Sequence, residues 1–341
     1  MKAAVIVSHG QVEIQDIAPP KPGPYEALVK IEACGLCGTT DRHIVDGHQA
    51  HHPADWYPAV LGHEAVGTVI EVGDKVRKFA PGDRVTRPVA IWPGTQREGL
   101  FSAWGGFAEY GIVRDDSVPG GPEEDYTSAR QQVLPSALSV EDAVAAISLA
   151  EVASWSEKLG KLDGQTVVIG GTGFAACVMA QCARTQGAAK IIAFGRSPKK
   201  FDWVRRNGAT HTLTFDAELS AAVREINGGL GADWFLDAAG HQQVFEAGLK
   251  CLRPGGSAAI YGAPDGFAYT LPLGAVGGDF CVKYLSPTDD SFMLEACQRI
   301  LDGRLDAAAV RTHIWDGLES LNQALKEQAA GEVLKGMVRI S

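Results

Sequence analysis

Hydrophobic positions in the first third of the chain come in short bursts. Met1–Val7, Ala27–Ala33, Gly67–Val72 and Phe107–Val113 alternate or run apolar over the length of a strand. Gly73-Asp74 and Pro81-Gly82-Asp83 separate them as turns, so a compact β-rich barrel is predicted. Residues 119–125, PGGPEED, read as an exposed loop. From Ser139 the period lengthens. Ser139 is placed to cap a helix over Val140–Ile147, with Asp142 positioned to close a capping box. Beyond Gly164 strands and helices alternate. Strand Thr166–Gly170, helix Phe174–Gln186, strand Lys190–Phe194 and helix Pro198–Asn207 follow one another. Strands Asp233–Asp237 and Ser257–Tyr261 then flank helix Gln242–Leu252. That alternation predicts an α/β domain, a parallel sheet with helices on both faces. The tail from Ser291 has two helical stretches and a last strand, Met337–Ile340, expected to rejoin the first domain.

At 341 residues the chain has room for two cores. A net charge of −10 argues against a general nucleic-acid binder, which needs a basic surface. No apolar run approaches the roughly 20 residues of a membrane helix. The first apolar burst meets Ser8-His9-Gly10 too soon for a signal sequence, so it reads as a strand. Seven cysteines, odd in number and scattered, do not form a disulfide framework, and a reducing cytoplasm is the expected compartment.

Gly171-Thr172-Gly173-Phe174-Ala175-Ala176 fits the G-x-G-x-x-A turn of a dinucleotide site. Gly171 permits the tight turn, Gly173 lets backbone approach a pyrophosphate, and Ala176 keeps the helix close to the sheet. The motif alone is weak, but a strand before it and a helix and strand after it strengthen it. An acidic residue at the end of the next strand would hold a ribose 2′-OH. Gly195 stands there, 24 residues beyond Gly171. Glycine leaves room for a 2′-phosphate, and Arg196, Ser197, Lys199 and Lys200 could bind one, which favours NADP over NAD. The plainer reading is that these lysines begin a solvated helix.

Cys37, His63, Glu64 and Glu151 supply thiolate, imidazole and carboxylate, a donor set that suits zinc. Cys34 and Cys37 also form a C-x-x-C pair, open to a zinc-knuckle or redox reading. No second pair lies nearby for a structural zinc, and the glycines and threonines around Cys37 are poor material for a redox helix.

Several stretches together resemble the zinc-dependent medium-chain dehydrogenases/reductases, the alcohol and polyol dehydrogenase group, over the whole chain. They are Ala33-Cys-Gly-Leu-Cys-Gly-Thr39, Leu61-Gly-His-Glu64, Pro81-Gly-Asp-Arg-Val85, Gly106-Phe-Ala-Glu-Tyr110, the glycine turn, Asp237-Ala238-Ala-Gly240 and Leu252-Arg-Pro-Gly-Gly256. The resemblance implies a GroES-like β-rich catalytic domain, residues 1–152 and 289–341, and a Rossmann coenzyme domain, 153–288. It implies zinc on Cys37 and His63, Glu151 as third ligand, and Glu64 as an extra ligand that exchanges with water. A hydroxyl after the cysteine, Thr39 or Thr40, would pass the substrate proton to His43. It places Ala238 and the turn residues at the cofactor.

Three departures from the family pattern stand out. One residue is inserted before Asp41, which blurs the choice of Thr39 or Thr40 and gives Asp41 the role of buttressing a ligand. Val152, not proline, follows Glu151. No cysteine occurs from Thr86 to Asp116, so a single catalytic zinc and no structural zinc are expected.

The implied chemistry is hydride exchange between a nicotinamide and a secondary alcohol, polyol or sugar, or its carbonyl form. His48, His51, His52, Trp56, Tyr57 and Trp92 fall on segments that approach the substrate in this family, with Arg87 and Arg97 as candidates for an anionic group. Loop residues without a role are the plainer reading of each. A small-molecule partner and a homodimer or homotetramer are expected. The alternatives are a zinc-free quinone or enone reductase of the same fold, or a cofactor-binding structural protein.

Overall fold

The computed structural model describes residues 1–48, 56–262 and 268–340, and all that follows concerns these; His51 and His52 lie outside them. The chain divides into two units. One comprises Met1–Ser148, Met293–Leu301 and Arg311–Ser341; the other comprises Leu149–Phe292 and Asp302–Val310. The second unit thus takes Asp302–Val310, a stretch the sequence reading assigned with the rest of the tail to the first domain.

The first unit opens with strands β1 (Lys2–Ser8), β2 (Gln11–Asp16) and β3 (Glu26–Leu36), followed by a short helix α1 (Thr40–Val45). Strands β4 (Ala59–Leu61), β5 (Glu64–Val72) and β6 (Arg84–Thr86) come next. A hairpin of β7 (Gln96–Arg97) and β8 (Leu100–Ala103) turns through Glu98 and Gly99, both at positive φ, before β9 (Tyr110–Arg114). Strand β3 is the hub, pairing antiparallel with both β5 and β9. Its buried side, Ala27, Val29 and Ile31, explains the alternation in the sequence. Ala27 and Val29 join Val69, Phe79, Val85 and Val113 in one core cluster, and Ile31 joins Ile6, Leu36, Leu61 and Phe107 in another.

Helix α2 (Val140–Glu157) runs ten residues past the predicted Ile147 because apolar, buried residues such as Leu149, Val152 and Trp155 continue beyond it. Ser139 Oγ accepts the Asp142 N–H at 3.1 Å, as a cap should. The box does not close through Asp142, whose carboxylate accepts from Arg311 at 2.8 Å instead.

The second unit holds β10 (Thr166–Gly170), α3 (Phe174–Thr185), β11 (Lys190–Gly195), α4 (Phe201–Arg206) and β12 (His211–Thr214). It continues with α5 (Leu219–Ile226), β13 (Ala232–Asp237), α6 (Gln242–Lys250), β14 (Leu252–Ile260) and β15 (Cys281–Tyr284). All adjacent strands are parallel in the order β12-β11-β10-β13-β14-β15. The order reverses at β10, so the turn after that strand opens at a topological switch point. Phe194, Phe235 and Phe245 fill the core between sheet and helices.

The predicted helix Pro198–Asn207 starts as a single 3-10 turn before α4. Strands β12 and β15 and helix α5 escaped the sequence reading. The two strands lie at the sheet edges, half-buried or exposed, and carry no apolar run.

Helices α7 (Asp289–Leu301) and α8 (Ala307–Val310) lead back to the first unit's last elements: β16 (Arg311–Asp316), α9 (Leu321–Ala329) and β17 (Lys335–Arg339). Strand β17 pairs with β3, setting Gly336 opposite Leu36. Among the described residues no helix is long and apolar enough to cross a membrane.

Asp115 fastens the turn before β6 to the end of β9. Its buried carboxylate accepts the N–H groups of Arg77 (2.6 Å), Lys78 (2.7 Å) and Ser117 (2.9 Å) and the Ser117 hydroxyl. Burial pushes its pKa up, but these donors outweigh burial and hold it below the usual carboxylate value. We expect Asp115→Ala to cost about 2–4 kcal/mol near neutral pH, since buried N–H groups lose their acceptor. A carboxyl with a depressed folded pKa stabilises above its unfolded pKa and loses that contribution as pH falls through the folded value. In denaturant titrations the gap between the two proteins should therefore narrow as pH falls below about 4; a gap that does not change with pH contradicts the assignment.

Candidate metal centre and dinucleotide turn

The pairing of β3 with β5 sets Gly35 opposite Glu64. Cys37, just past the end of β3, and His63, just before β5, therefore arrive at the same edge of the sheet. Ligand atoms of Cys37, His63 and Glu64 all lie within 4.8 Å of one another. Gly35 makes the room, because a Cβ there would meet Glu64 Oε2 at 2.5 Å. Gly62 turns the chain into His63 at φ +116°, a conformation that favours glycine.

Asp41 lies fully buried in α1 and organises both ligand-bearing segments. Its Oδ2 accepts the Cys37 N–H at 2.9 Å and its Oδ1 sits 2.8 Å from His63 Nδ1. With Nδ1 committed to a carboxylate, Nε2 is the nitrogen left to face a metal. The Thr40 N–H donates to Cys37 Sγ at 3.3 Å, a bond that favours the thiolate. Burial pushes the Cys37 thiol up, but the neighbouring imidazole outweighs it and holds the thiol below its ordinary value. Burial likewise pushes His63 down, while Asp41 and Cys37 together lift it well above an ordinary imidazole. The donors fit zinc: a sulfur inclined to ionise, an oriented imidazole, and a carboxylate beside them.

Glu64 is tied from behind. Its Oε1 accepts the Ser148 hydroxyl at 2.6 Å and its Oε2 pairs with the buried Lys335 ammonium. Burial pushes the carboxyl up, but Lys335, His63 and Ser148 bring it down to about 2. Neither Ser148 nor Lys335 was singled out from sequence. The available signals were a serine one turn before Glu151 and a lysine just ahead of the apolar Met337 and Val338.

Glu151 belongs to the second unit, where its carboxylate accepts the Tyr261 hydroxyl at 2.9 Å. Cys34 is fully buried in the first unit's core, where burial raises its thiol far above the ordinary value. The C-x-x-C pair is thus split between core and site. Thr39, at the N-cap of α1, and His43, in its last turn, are both exposed and linked by the His43 N–H to Thr39 C=O bond of 2.9 Å. They are i, i+4 neighbours on one helix face.

Trp104 packs near the site, its ring 5.6 Å from that of His63. The other candidates have local partners. Trp56 stacks on Phe101, the Tyr57 hydroxyl donates to Ile44 C=O, and Trp92 donates to Asp125 beneath Arg114. Arg97 donates to Ala18 C=O, Arg87 sits at φ +53° in the turn after β6, and His48 is exposed.

In the second unit Gly171 takes φ +130° as the chain leaves β10, and Gly173 caps α3 ahead of Phe174 and Ala175. Ala238, after β13, donates its N–H to Gly170 C=O and lies against Gly171. A Cβ on Gly195 would meet Thr172 Cγ2 and Oγ1 at 2.9 Å. Close packing on Thr172 is therefore a reason for glycine that the sequence reading had not considered. Arg196 lines a cleft of about 250 Å³ with Phe215, His241 and Gln242–Val244. Lys200 instead sits over the Trp203 ring, while Ser197 is half-buried ahead of the 3-10 turn.

The family model described as alcohol dehydrogenase GroES-like domain matches residues 23–123. That described as zinc-binding dehydrogenase matches residues 171–275. The chain belongs to the zinc-type medium-chain dehydrogenase/reductase family. The first unit carries the family's GroES-like domain and the second its Rossmann-type sheet. As a member, the chain is an enzyme of the NAD(P)-dependent zinc alcohol/polyol dehydrogenase class.

It is 27% identical to an NADP-dependent isopropanol dehydrogenase of Thermoanaerobacter brockii, covering 95% of each chain. It is 28% identical to a sorbitol dehydrogenase of Bacillus subtilis, covering 78% of this chain and 76% of the other. The solved benzyl alcohol dehydrogenase of Acinetobacter calcoaceticus superposes with a TM-score of 0.83 at 21% identity, over 100% of this chain and 99% of that one.

Asp41 gives the metal centre a direct test. Asp41→Asn keeps the shape but removes the charge that orients His63, and it should weaken zinc binding by about 10- to 100-fold. A chelator-competition titration measures this; unchanged affinity contradicts the buttressing role.

Proposed function

We propose that the protein is a zinc-dependent dehydrogenase that interconverts a secondary alcohol, polyol or sugar with its carbonyl form, preferring NADP. The observation that carries this is the convergence of Cys37 and His63, held by one buried carboxylate, in a chain that also bears the glycine turn. The relatives named for isopropanol and sorbitol bracket the substrate class. When bound, zinc would supply a Lewis acid for the substrate's C–O bond and the nicotinamide would exchange hydride at that carbon.

Cys37 and His63 would hold the metal, with Glu151 as the third ligand and Glu64 as an extra one that exchanges with water. The hydroxyl of Thr39 or Thr40 takes the substrate's proton and His43, exposed on α1, passes it to solvent. Gly171, Thr172 and Gly173 with the N-terminus of α3 receive the pyrophosphate, with Phe174, Ala175 and Ala238 alongside. Arg196, on the cleft wall, is the favoured partner for a 2′-phosphate, with Ser197 and Lys200 near it in sequence. One zinc per chain and a homo-oligomeric state complete the reading.

Metal analysis of the purified protein should find one zinc per chain. Cys37→Ser should lose the metal and lower kcat/KM by about a thousandfold or more across a panel of secondary alcohols and polyols. A metal-free protein with full activity overturns the proposal. For the cofactor, kcat/KM should favour NADPH over NADH by about tenfold or more, and Arg196→Ala should erase most of that ratio. A preference for NADH would assign Gly195 to its packing against Thr172 alone.

A further inference from the structure

Lys335 does more than neutralise a carboxylate. It opens β17, whose pairing with β3 sets the next residue, Gly336, opposite Leu36. From there its buried Nζ donates to Leu36 C=O at 3.2 Å, to Ser148 Oγ at 2.8 Å and to Glu64 Oε2. Leu36 directly precedes Cys37, and Glu64 directly follows His63. One ammonium thus ties together the two peptide segments that bear the proposed metal ligands. An ammonium has three donors, and three acceptors from three elements are within reach.

The same contacts fix where Glu64 sits. Lys335 draws on one carboxylate oxygen, and Ser148 donates to the other, the oxygen that lies 3.9 Å from His63 Nε2. Two nitrogen or oxygen ligands on one tetrahedral zinc, each at about 2.1 Å, lie roughly 3.4 Å apart. At 3.9 Å these two atoms are farther apart than that, so Glu64 would have to move toward His63 to share the metal with it.

We propose that Lys335, with Ser148, is a positioning residue that restrains Glu64 from entering the metal's coordination sphere, leaving a position open for substrate. The inference rests on the zinc reading above. With the ammonium gone, Glu64 loses its buried ion-pair partner, and a metal held by Cys37 and His63 is a cation near enough to replace it. Glu64 then swings onto the metal, binds it more tightly and occupies the place of the substrate oxygen. Arginine is no substitute, because its planar fork cannot place one nitrogen against three acceptors on different elements.

The test measures zinc affinity by chelator competition on the apoprotein and the visible absorption bands of the cobalt(II)-substituted protein. Wild type is compared with Lys335→Met, Glu64→Gln, the double variant and Ser148→Ala. Lys335→Met should bind zinc about tenfold or more tightly, with shifted cobalt bands and reduced kcat. The double variant should return affinity and bands toward wild type, because the intruding carboxylate is gone. Ser148→Ala should move both readouts the same way by a smaller factor, and it carries the test if Lys335→Met does not fold.

Lys335→Met with wild-type affinity and bands overturns the inference. So does weakened zinc binding that Glu64→Gln fails to rescue, which would make Lys335 a purely structural tie. A wild type that binds no zinc overturns the zinc reading itself, whereas a zinc-binding wild type matched by all variants sinks only this proposal.

Discussion

The antiparallel register of β3 against β5 is the constraint from which the rest of the candidate site follows. Residues 35 and 64 face each other, so the ligands at 37 and 63 reach one place although 25 residues of chain lie between them. A one-residue slip would send every side chain of a strand to the opposite face and separate the pair. The buried side chains of Ala27, Val29 and Ile31 on one strand and Val66 and Val69 on the other oppose such a slip. The barrel core is therefore what holds thiol and imidazole together before any metal arrives.

Charge then refines what register begins. Two buried carboxylates flank the pair with opposite assignments. Asp41 points toward the ligands and orients them, while Glu64 is answered by an ammonium on the side of β17. Burial of such groups is tolerable only because each has a partner. The glycine turn of the second unit relies on a different economy. Gly171 turns the chain at φ +130°, Gly195 leaves room for Thr172, and the end of β10 lies at the switch point of the sheet.

Much of this was legible in the order of residues. The strand–glycine–helix pattern at Thr166–Thr185 and the alternation of β3 are local signals, and local geometry decides them. Residue types at Cys37, His63 and Glu64 pointed to metal chemistry because thiolate, imidazole and carboxylate are all zinc donors. What escaped was set by distance along the chain. Lys335 meets Glu64 across 271 residues, and nothing in Leu334-Lys-Gly-Met says that its ammonium turns inward. Ser148 differs from other helical serines only in what lies opposite. The reason for Gly195 hides in a threonine on a neighbouring loop. Edge strand β12 is exposed at both ends and β15 along its whole length, so hydrophobic patterning had little to register.

Zinc K-edge X-ray absorption of the purified protein interrogates the proposed centre most directly, since it reads the donor atoms themselves. The account predicts a single sulfur at about 2.3 Å, from Cys37, with imidazole and oxygen donors at about 2.0–2.2 Å. A shell of two or more sulfurs, or one with none, would contradict a centre built on one thiolate and one imidazole.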